Sequence, residues 1–300
     1  VTTIGVIGAG AVGQAVGTLL VASGWCSEVM VCAARTSSAD GLVTDLEDMV
    51  HVTASPVRVR RASLQRMRTC DALVVCPRAQ FTNTHRTDIR MAGLAANGAV
   101  VRDLARSFQG YEGPVVMVTN PVDVLSRLFA DESGSGRVLG IGSSTDTARY
   151  RLTLAGMLSV PATSISGHVI GEHGDHAVLC ASSTTVHGQP VHVPVQQVRE
   201  ELKARPVRIT AGIGRVRSGP AGAVLTALSH ALGVTDGVIE LSAPWGEIHL
   251  GIPLRYSSGH TTVCLPPLNQ TETRELAAAK AKIHAAYTHL RSTLKETTAA

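Results

Sequence analysis

Apolar residues along the chain recur in short, dense runs separated by longer stretches of helical period. The first run, Thr3–Ile7, passes straight into Gly8-Ala9-Gly10-Ala11-Val12-Gly13 and then into an apolar-periodic stretch reaching Leu20. That order reads as strand, tight turn and helix. Runs at 28–32, 71–76 and 114–119 read as further buried strands with helix-like segments between them, and a shorter run at 137–142 closes the series. Strands that alternate with helices imply an α/β architecture, a doubly wound parallel sheet with helices on both faces.

Beyond about residue 143 the rhythm changes. A helix is expected over 146–158, followed by strand-like pieces at 165–170 and 177–180. Near the end, Ile252-Pro253-Leu254-Arg255-Tyr256 and Thr261-Thr262-Val263-Cys264-Leu265 flank Ser257-Ser258-Gly259-His260, the pattern of a hairpin. A charged, Ala-rich stretch over 272–294 reads as a closing helix. The expected division is therefore a doubly wound domain at 1–142 and a mixed α+β domain at 143–300. No repeat or flexible linker separates them, so the two should pack as one body.

With 300 residues the chain can bury roughly three quarters of its unfolded surface, enough for a stable enzyme. The formal charge of +4 is small, and the one dense basic group, Arg58, Arg60, Arg61, Arg66 and Arg68, has no interleaved aromatics. A solvated basic face suits it better than a nucleic-acid site, so no polynucleotide partner is expected. The six cysteines have neither C-x-x-C nor zinc-type spacing and sit mostly in apolar runs, which favours reduced, buried thiols and no metal. No uncharged run reaches membrane-spanning length, and the first apolar stretch is broken by glycines. A cytoplasmic location without membrane association is the expectation.

The spacing Gly8-x-Gly10-x-x-Gly13 puts glycine where a strand must turn sharply into a helix and where backbone must approach a pyrophosphate. Alone it is weak, but here it follows the first strand and opens the first helix, as a dinucleotide (Rossmann) site requires. Gly8, Gly10, Ala11, Val12 and Gly13 are the expected pyrophosphate residues. At the end of the second strand an NAD enzyme normally offers a carboxylate to the adenine ribose, yet this chain has Ala33, Ala34, Arg35, Thr36 and Ser37. Loss of the carboxylate removes repulsion of a ribose 2′-phosphate, and Arg35 and Ser37 could bind one. NADP is expected, with NAD as the alternative.

The most specific segment is Gly171-Glu172-His173-Gly174-Asp175. It resembles the active-site histidine motif of the lactate/malate dehydrogenase family. In the same chain order, Val118-Thr119-Asn120-Pro121-Val122-Asp123 resembles that family's asparagine motif, Thr145-Asp146-Thr147-Ala148-Arg149 its aspartate–arginine motif, and Arg86-Thr87-Asp88 the end of its mobile lid. The resemblance implies hydride transfer between a nicotinamide cofactor and a small 2-oxo or 2-hydroxy acid, in a homodimer or homotetramer with the helix around Asp45-Leu46-Glu47-Asp48-Met49 as a candidate interface. His173 would protonate the carbonyl oxygen. Asp146 would fix the tautomer and raise the histidine pKa. Arg149 would hold the substrate carboxylate in a fork that lysine cannot reproduce, Arg86 would polarise the carbonyl, and Asn120 would bond near the reacting oxygen and the nicotinamide ribose.

Each residue also has a plainer reading; Asp146 and Arg149, for instance, suit an ordinary helical ion pair at i, i+3. Their joint occurrence favours the catalytic one. The segment 76–86 departs from the family, being about one residue short and lacking its usual glycine and proline pairs, while Gly93 stands where a polar asparagine is usual. Counting back from Arg86, the position separating lactate-like from malate-like enzymes is Gln80, which suggests a substrate without a second carboxylate. The small stretch around Ala221 would leave room for one larger than pyruvate. Two alternatives stay open: a malate dehydrogenase using Arg78, and a catalytically silent NADP-binding sensor or scaffold of the same fold.

Overall fold

A computed structural model of the protein describes residues 2–82 and 88–299. The first half runs β1 (Thr3–Ile7), α1 (Ala11–Val21), β2 (Glu28–Cys32), α2 (Thr36–Val52), β3 (Arg58–Arg61), α3 (Leu64–Met67), β4 (Ala72–Val75), α4 (Leu94–Ser107), β5 (Val115–Met117), α5 (Val122–Ser133) and β6 (Val138–Gly140). These six strands pair in parallel in the order β3-β2-β1-β4-β5-β6. Each apolar run in β1, β4 and β5 is almost wholly buried because helices cover both faces of a parallel sheet. Strand β3 was hidden in the sequence by its arginines. It is an edge strand, where charge is tolerated because one side faces water, and Arg60 pairs with Glu28 of the neighbouring strand at 2.7 Å.

The second half runs α6 (Gly142–Leu158), β7 (Ile165–Ser166), β8 (Val169–Gly171), β9 (Ala177–Leu179), β10 (Thr185–Val186), β11 (Gln189–Pro190), α7 (Val195–Ile213), α8 (Ser218–Ala231), β12 (Gly237–Trp245), β13 (Ile248–Ser257), β14 (His260–Val263) and α9 (Gln270–Ala299). The expected hairpin is there, with Ser257 opposite His260, but the longer partner of β13 is β12 on its other side. Through that antiparallel pair the first sheet continues, β6-β12-β13-β8-β9. The expected strand at 165–170 is split: β7 joins β10 and β11 in a small separate sheet, while β8 joins the large one. Helix α7 was obscured by Pro206 in its interior, a residue that normally argues against helix.

One apolar core extends from β1 and α1 through α5 to β12, β13 and α9, and a smaller one gathers Tyr150, Leu154, Ile165, Val169, Leu179 and Val198 under the three-stranded sheet. All six cysteines are free. Burial pushes the Cys26 thiol up to about 11 and those of Cys70 and Cys180 up to about 12, so they behave as small apolar side chains. No described helix is long and apolar enough to cross a membrane.

Candidate active site

In an open parallel sheet the crevice lies beyond the carboxyl ends of the strands, where connections diverge to opposite faces. Here that crevice leads from the turn after β1 toward the start of α6. Gly8 has φ +120°, and a Cβ on it would stand 2.8 Å from the Cys76 carbonyl carbon. A Cβ on Gly13 would overlap the Gly8 carbonyl oxygen, so both positions demand glycine for the strand to fold back onto its helix. Gly10 is the N-cap of α1, with open space where its Cβ would be. The first turn of α1, beginning with Ala11 and Val12, has no side-chain cap and no acidic residue, which leaves its N–H groups and positive dipole end for an anion.

Beyond β2, Ala33 is half-buried, Arg35 is the exposed N-cap of α2, and Ser37 lies exposed in the first helical turn. Neither a side-chain cap nor an acidic residue occupies that turn. The nearest helix carboxylate, Asp40, is paired with Arg61 at 3.0 Å.

The catalytic candidates converge where α6 begins. Its first turns follow β6 directly, so Asp146 and Arg149 are delivered on one helix face into the crevice. Gly142 lets the histidine loop approach, since a Cβ there would overlap His173. His173 Nδ1 lies 2.6 Å from Asp146 Oδ2, and its backbone N–H donates to Asp123 Oδ2 at 2.8 Å. Arg149 Nη1 donates to Asp146 Oδ1 at 3.3 Å. A cavity of about 210 Å³ is lined by Val12, Asn120, Arg149, His173, Val216 and Pro220 among others, and so reaches from the first turn of α1 to the His173–Asp146 pair. The Asn120 side-chain oxygen is buried there without a protein partner.

Burial alone would raise the Asp146 pKa, but His173, Arg90 and Arg149 together hold it well below the usual carboxylate range. The histidine departs from expectation. Asp146 does favour its charged form, yet burial and the nearby Arg90 guanidinium outweigh it, and the His173 pKa lies below that of a free imidazole. Asp123, buried beneath the loop, is pushed up to about 7 by the loss of solvent.

Other positions fall elsewhere. Arg86 lies outside the described residues. Gln80 and Arg78 are exposed and are not among the cavity's lining residues; Arg78 sits over the Phe81 ring at 4.8 Å. That ring also occupies the space a side chain on Gly93 would need, with Phe81 Cζ 2.6 Å from the position of its Cβ. Ala221 is fully buried in the core, and the α8 side of the cavity is formed instead by Val216 and Pro220. Sequence reasoning missed Arg90 and Asn97. Buried Asn97 accepts the Ala79 N–H and donates to the Asn120 carbonyl, both at 2.8 Å, tying the segment after β4 to the asparagine turn. Among the described residues no cluster of His, Cys, Asp or Glu is placed to hold a metal ion.

A doubly wound sheet whose crevice ends at a histidine–aspartate pair and a buried arginine is the arrangement expected of a dehydrogenase acting on small 2-hydroxy acids. The comparisons agree. Residues 2–140 match the model for the lactate/malate dehydrogenase NAD binding domain. The chain is 29% identical to an L-lactate dehydrogenase of Lactobacillus delbrueckii subsp. bulgaricus over 93% of this chain and 96% of that one. It is 31% identical to one of Chloroherpeton thalassium over 76% and 79%. Among solved structures, the minor L-lactate dehydrogenase of Enterococcus mundtii superposes with a TM-score of 0.88 at 21% identity, covering 96% of this chain and 98% of that chain. Malate dehydrogenase of Plasmodium falciparum superposes with 0.89 at 18%, covering 98% and 99%. The chain belongs to the lactate/malate dehydrogenase family, and its activity is that of a nicotinamide-dependent 2-hydroxy acid dehydrogenase.

Proposed function

We propose that the protein reduces the keto group of a small 2-oxo carboxylic acid with NADPH, using His173 as the proton donor. The observation that carries this reading is the 2.6 Å pairing of His173 with Asp146 inside a cavity that Arg149 and Asn120 also line. The nicotinamide cofactor supplies the hydride when bound. The residues fit it: the uncapped α1 N-terminus and the open space at Gly10 suit a pyrophosphate, and the unpartnered Asn120 oxygen suits a donor near the reacting end.

The chain's own chemistry then follows. Asp146 accepts the Nδ1 proton of His173, which leaves Nε2 for the substrate carbonyl. Arg149 holds the substrate carboxylate and so sets the carbonyl beside the imidazole. A depressed histidine pKa makes the protonated form a stronger acid but confines it to lower pH, so reduction should gain as pH falls, while the neutral ring that accepts the proton in oxidation of the hydroxy acid is already the main form at neutral pH. The preference for NADPH rests on Ala33 in place of a carboxylate, with Arg35 and Ser37 at the open N-terminus of α2. Residues 1–142 are taken as the cofactor half, 143–300 as the substrate half, and the enzyme as a cytoplasmic homo-oligomer.

The test is direct: purified protein is mixed with NADPH or NADH and a panel of 2-oxo acids, and cofactor oxidation is followed optically. Turnover that disappears in His173→Ala supports the reading, and absence of turnover with every 2-oxo acid refutes it.

A further inference from the structure

We propose that Lys282 of α9 is a positioning residue for the acid–base pair: its ammonium bridges Glu172, in the histidine loop, to Asp88, ahead of α4, and so fixes the loop that carries His173. The proposal rests on the dehydrogenase reading of this site and deepens it. The loop leaves β8 at Gly171, whose φ of +88° turns the chain away from the sheet. Glu172 then folds back under its own loop. A Cβ on Gly174 would stand 2.5 Å from Glu172 Oε1, and Glu172 Oε2 accepts the His176 N–H at 2.9 Å. The carboxylate belongs to a residue only 2% exposed, so it needs a counter-charge to stay ionised there.

Helix α9 delivers that charge. Its Ala279 is small enough to pack against the start of the loop, the methyl lying 3.3 Å from where a Cβ on Gly171 would stand, and Lys282 follows three residues later on the same helix face. Lys282 Nζ meets Glu172 Oε1 at 2.8 Å and Oε2 at 3.1 Å. The same nitrogen pairs with Asp88 Oδ2 at 2.8 Å, while the Asp88 N–H donates to Asp175 Oδ2 at 3.1 Å. Glu172 and Asp175 flank His173, so Asp88 is clipped to the loop on both sides of the histidine. Burial opposes the charge on Lys282, but hydrogen bonds to Asp88 and Glu172 hold its pKa above that of a free lysine. Without the ammonium, the Asp88 and Glu172 carboxylates that now share it would repel each other.

His173 is thereby held from two directions. Asp146 takes its ring and Asp123 its backbone N–H, while Glu172 and the Lys282 bridge hold the loop from the α9 side. Lys282 is not among the residues lining the cavity, so it acts through the loop and not on the substrate. The position it controls is a demanding one. Nε2 must reach a carbonyl whose place Arg149 has already set, and a misplacement of about 1 Å can cost about 100-fold in rate.

The experiment compares full-length wild type, Lys282→Met, Lys282→Arg and Asp88→Asn, using NADPH or NADH and the 2-oxo acid that the wild type reduces best. Turnover is expressed per cofactor-binding site counted by calorimetry, so unfolded protein does not enter. Lys282→Met should lower kcat per site about 10- to 100-fold with little change in KM. Lys282→Arg should recover most of it, and Asp88→Asn, which breaks one arm of the bridge and leaves Glu172 paired, should lose less than Lys282→Met. A second readout is independent of turnover: the NMR signal of the His173 ring should shift or broaden in Lys282→Met and return in Lys282→Arg. An unchanged kcat per site in Lys282→Met, or a loss confined to KM, would overturn the proposal and leave Lys282 a role in stability or substrate capture alone. If Lys282→Met fails to fold, Asp88→Asn decides, and an unchanged kcat per site with an unmoved ring signal overturns the proposal. If the wild type reduces no 2-oxo acid but the ring signal moves in Lys282→Met, the dehydrogenase reading fails while the anchoring of the loop stands; a signal that stays in place overturns the anchoring too.

Discussion

His173 is supported by contacts of opposite electrostatic effect: Asp146 favours its charged form, while burial and Arg90 disfavour it. Replacing it by alanine is expected to lower kcat by about 10²- to 10⁴-fold, with NADPH affinity measured by calorimetry nearly unchanged, since the pyrophosphate turn is built on other residues. A large loss of cofactor affinity would show that the residue serves structure. Asp123 offers a second test. Its carboxyl, raised to about 7 by burial, binds a proton in the folded state that the unfolded chain has already released above about pH 4. The stability it contributes is therefore complete below pH 4 and lost as pH rises toward 7. Asp123→Asn should remove that loss, so the variant's stability relative to wild type should improve from pH 4 to pH 8 in denaturant unfolding. A constant difference across that range would mean that the carboxyl takes up no proton.

At the scale of elements, the proposed preference for NADPH rests on the start of α2. Arg35 caps it without a side-chain bond, and no carboxylate lies in its first turn. A charge-assisted contact is worth about 1.5–3 kcal/mol, so Arg35→Ala should erode the NADPH preference by roughly ten- to a hundredfold in kcat/KM. Ala33→Asp combined with Arg35→Ala should turn the preference to NADH. Equal efficiency with both cofactors in the wild type would refute this account of the loop. Asn97 on α4 joins two segments of the site through two hydrogen bonds. Its replacement by alanine leaves the Ala79 N–H and Asn120 carbonyl without that partner, at a cost of about 1–3 kcal/mol per unsatisfied group. The expected result is a lower Tm together with a raised KM for the 2-oxo acid; a lowered Tm with kinetics unchanged would confine Asn97 to stability.

For the whole molecule, the sheet and the main core both run from one half into the other, β6 pairing with β12 and the apolar cluster spanning both. Heating should therefore give one cooperative transition by calorimetry and circular dichroism alike, whereas two separated transitions would show the halves folding independently. Because a ligand stabilises the fold by mass action, NADPH at a hundred times its Kd should add about 2.7 kcal/mol, and at equal concentration it should raise Tm more than NADH does.

The parallel half of the sheet and the glycine turn were legible in the sequence, because each depends on local pattern, buried runs and a positive-φ glycine; the candidates His173, Asp146 and Arg149 came instead from the resemblance of their segments to the motifs of the family. Strand β3 and helix α7 were not legible, since arginines on an edge strand and proline within a helix are local signals that the surrounding packing overrides. The pairing of β12 with β13, the clip from Asp88 through Lys282 to Glu172, and the arrival of Arg90 beside His173 join residues far apart in the chain. So does the direction of the histidine's pKa. The sequence named Asp146 as its partner, but the net sign depends on how deeply the ring is buried and which cations come near it, and only the tertiary structure decides distance and desolvation.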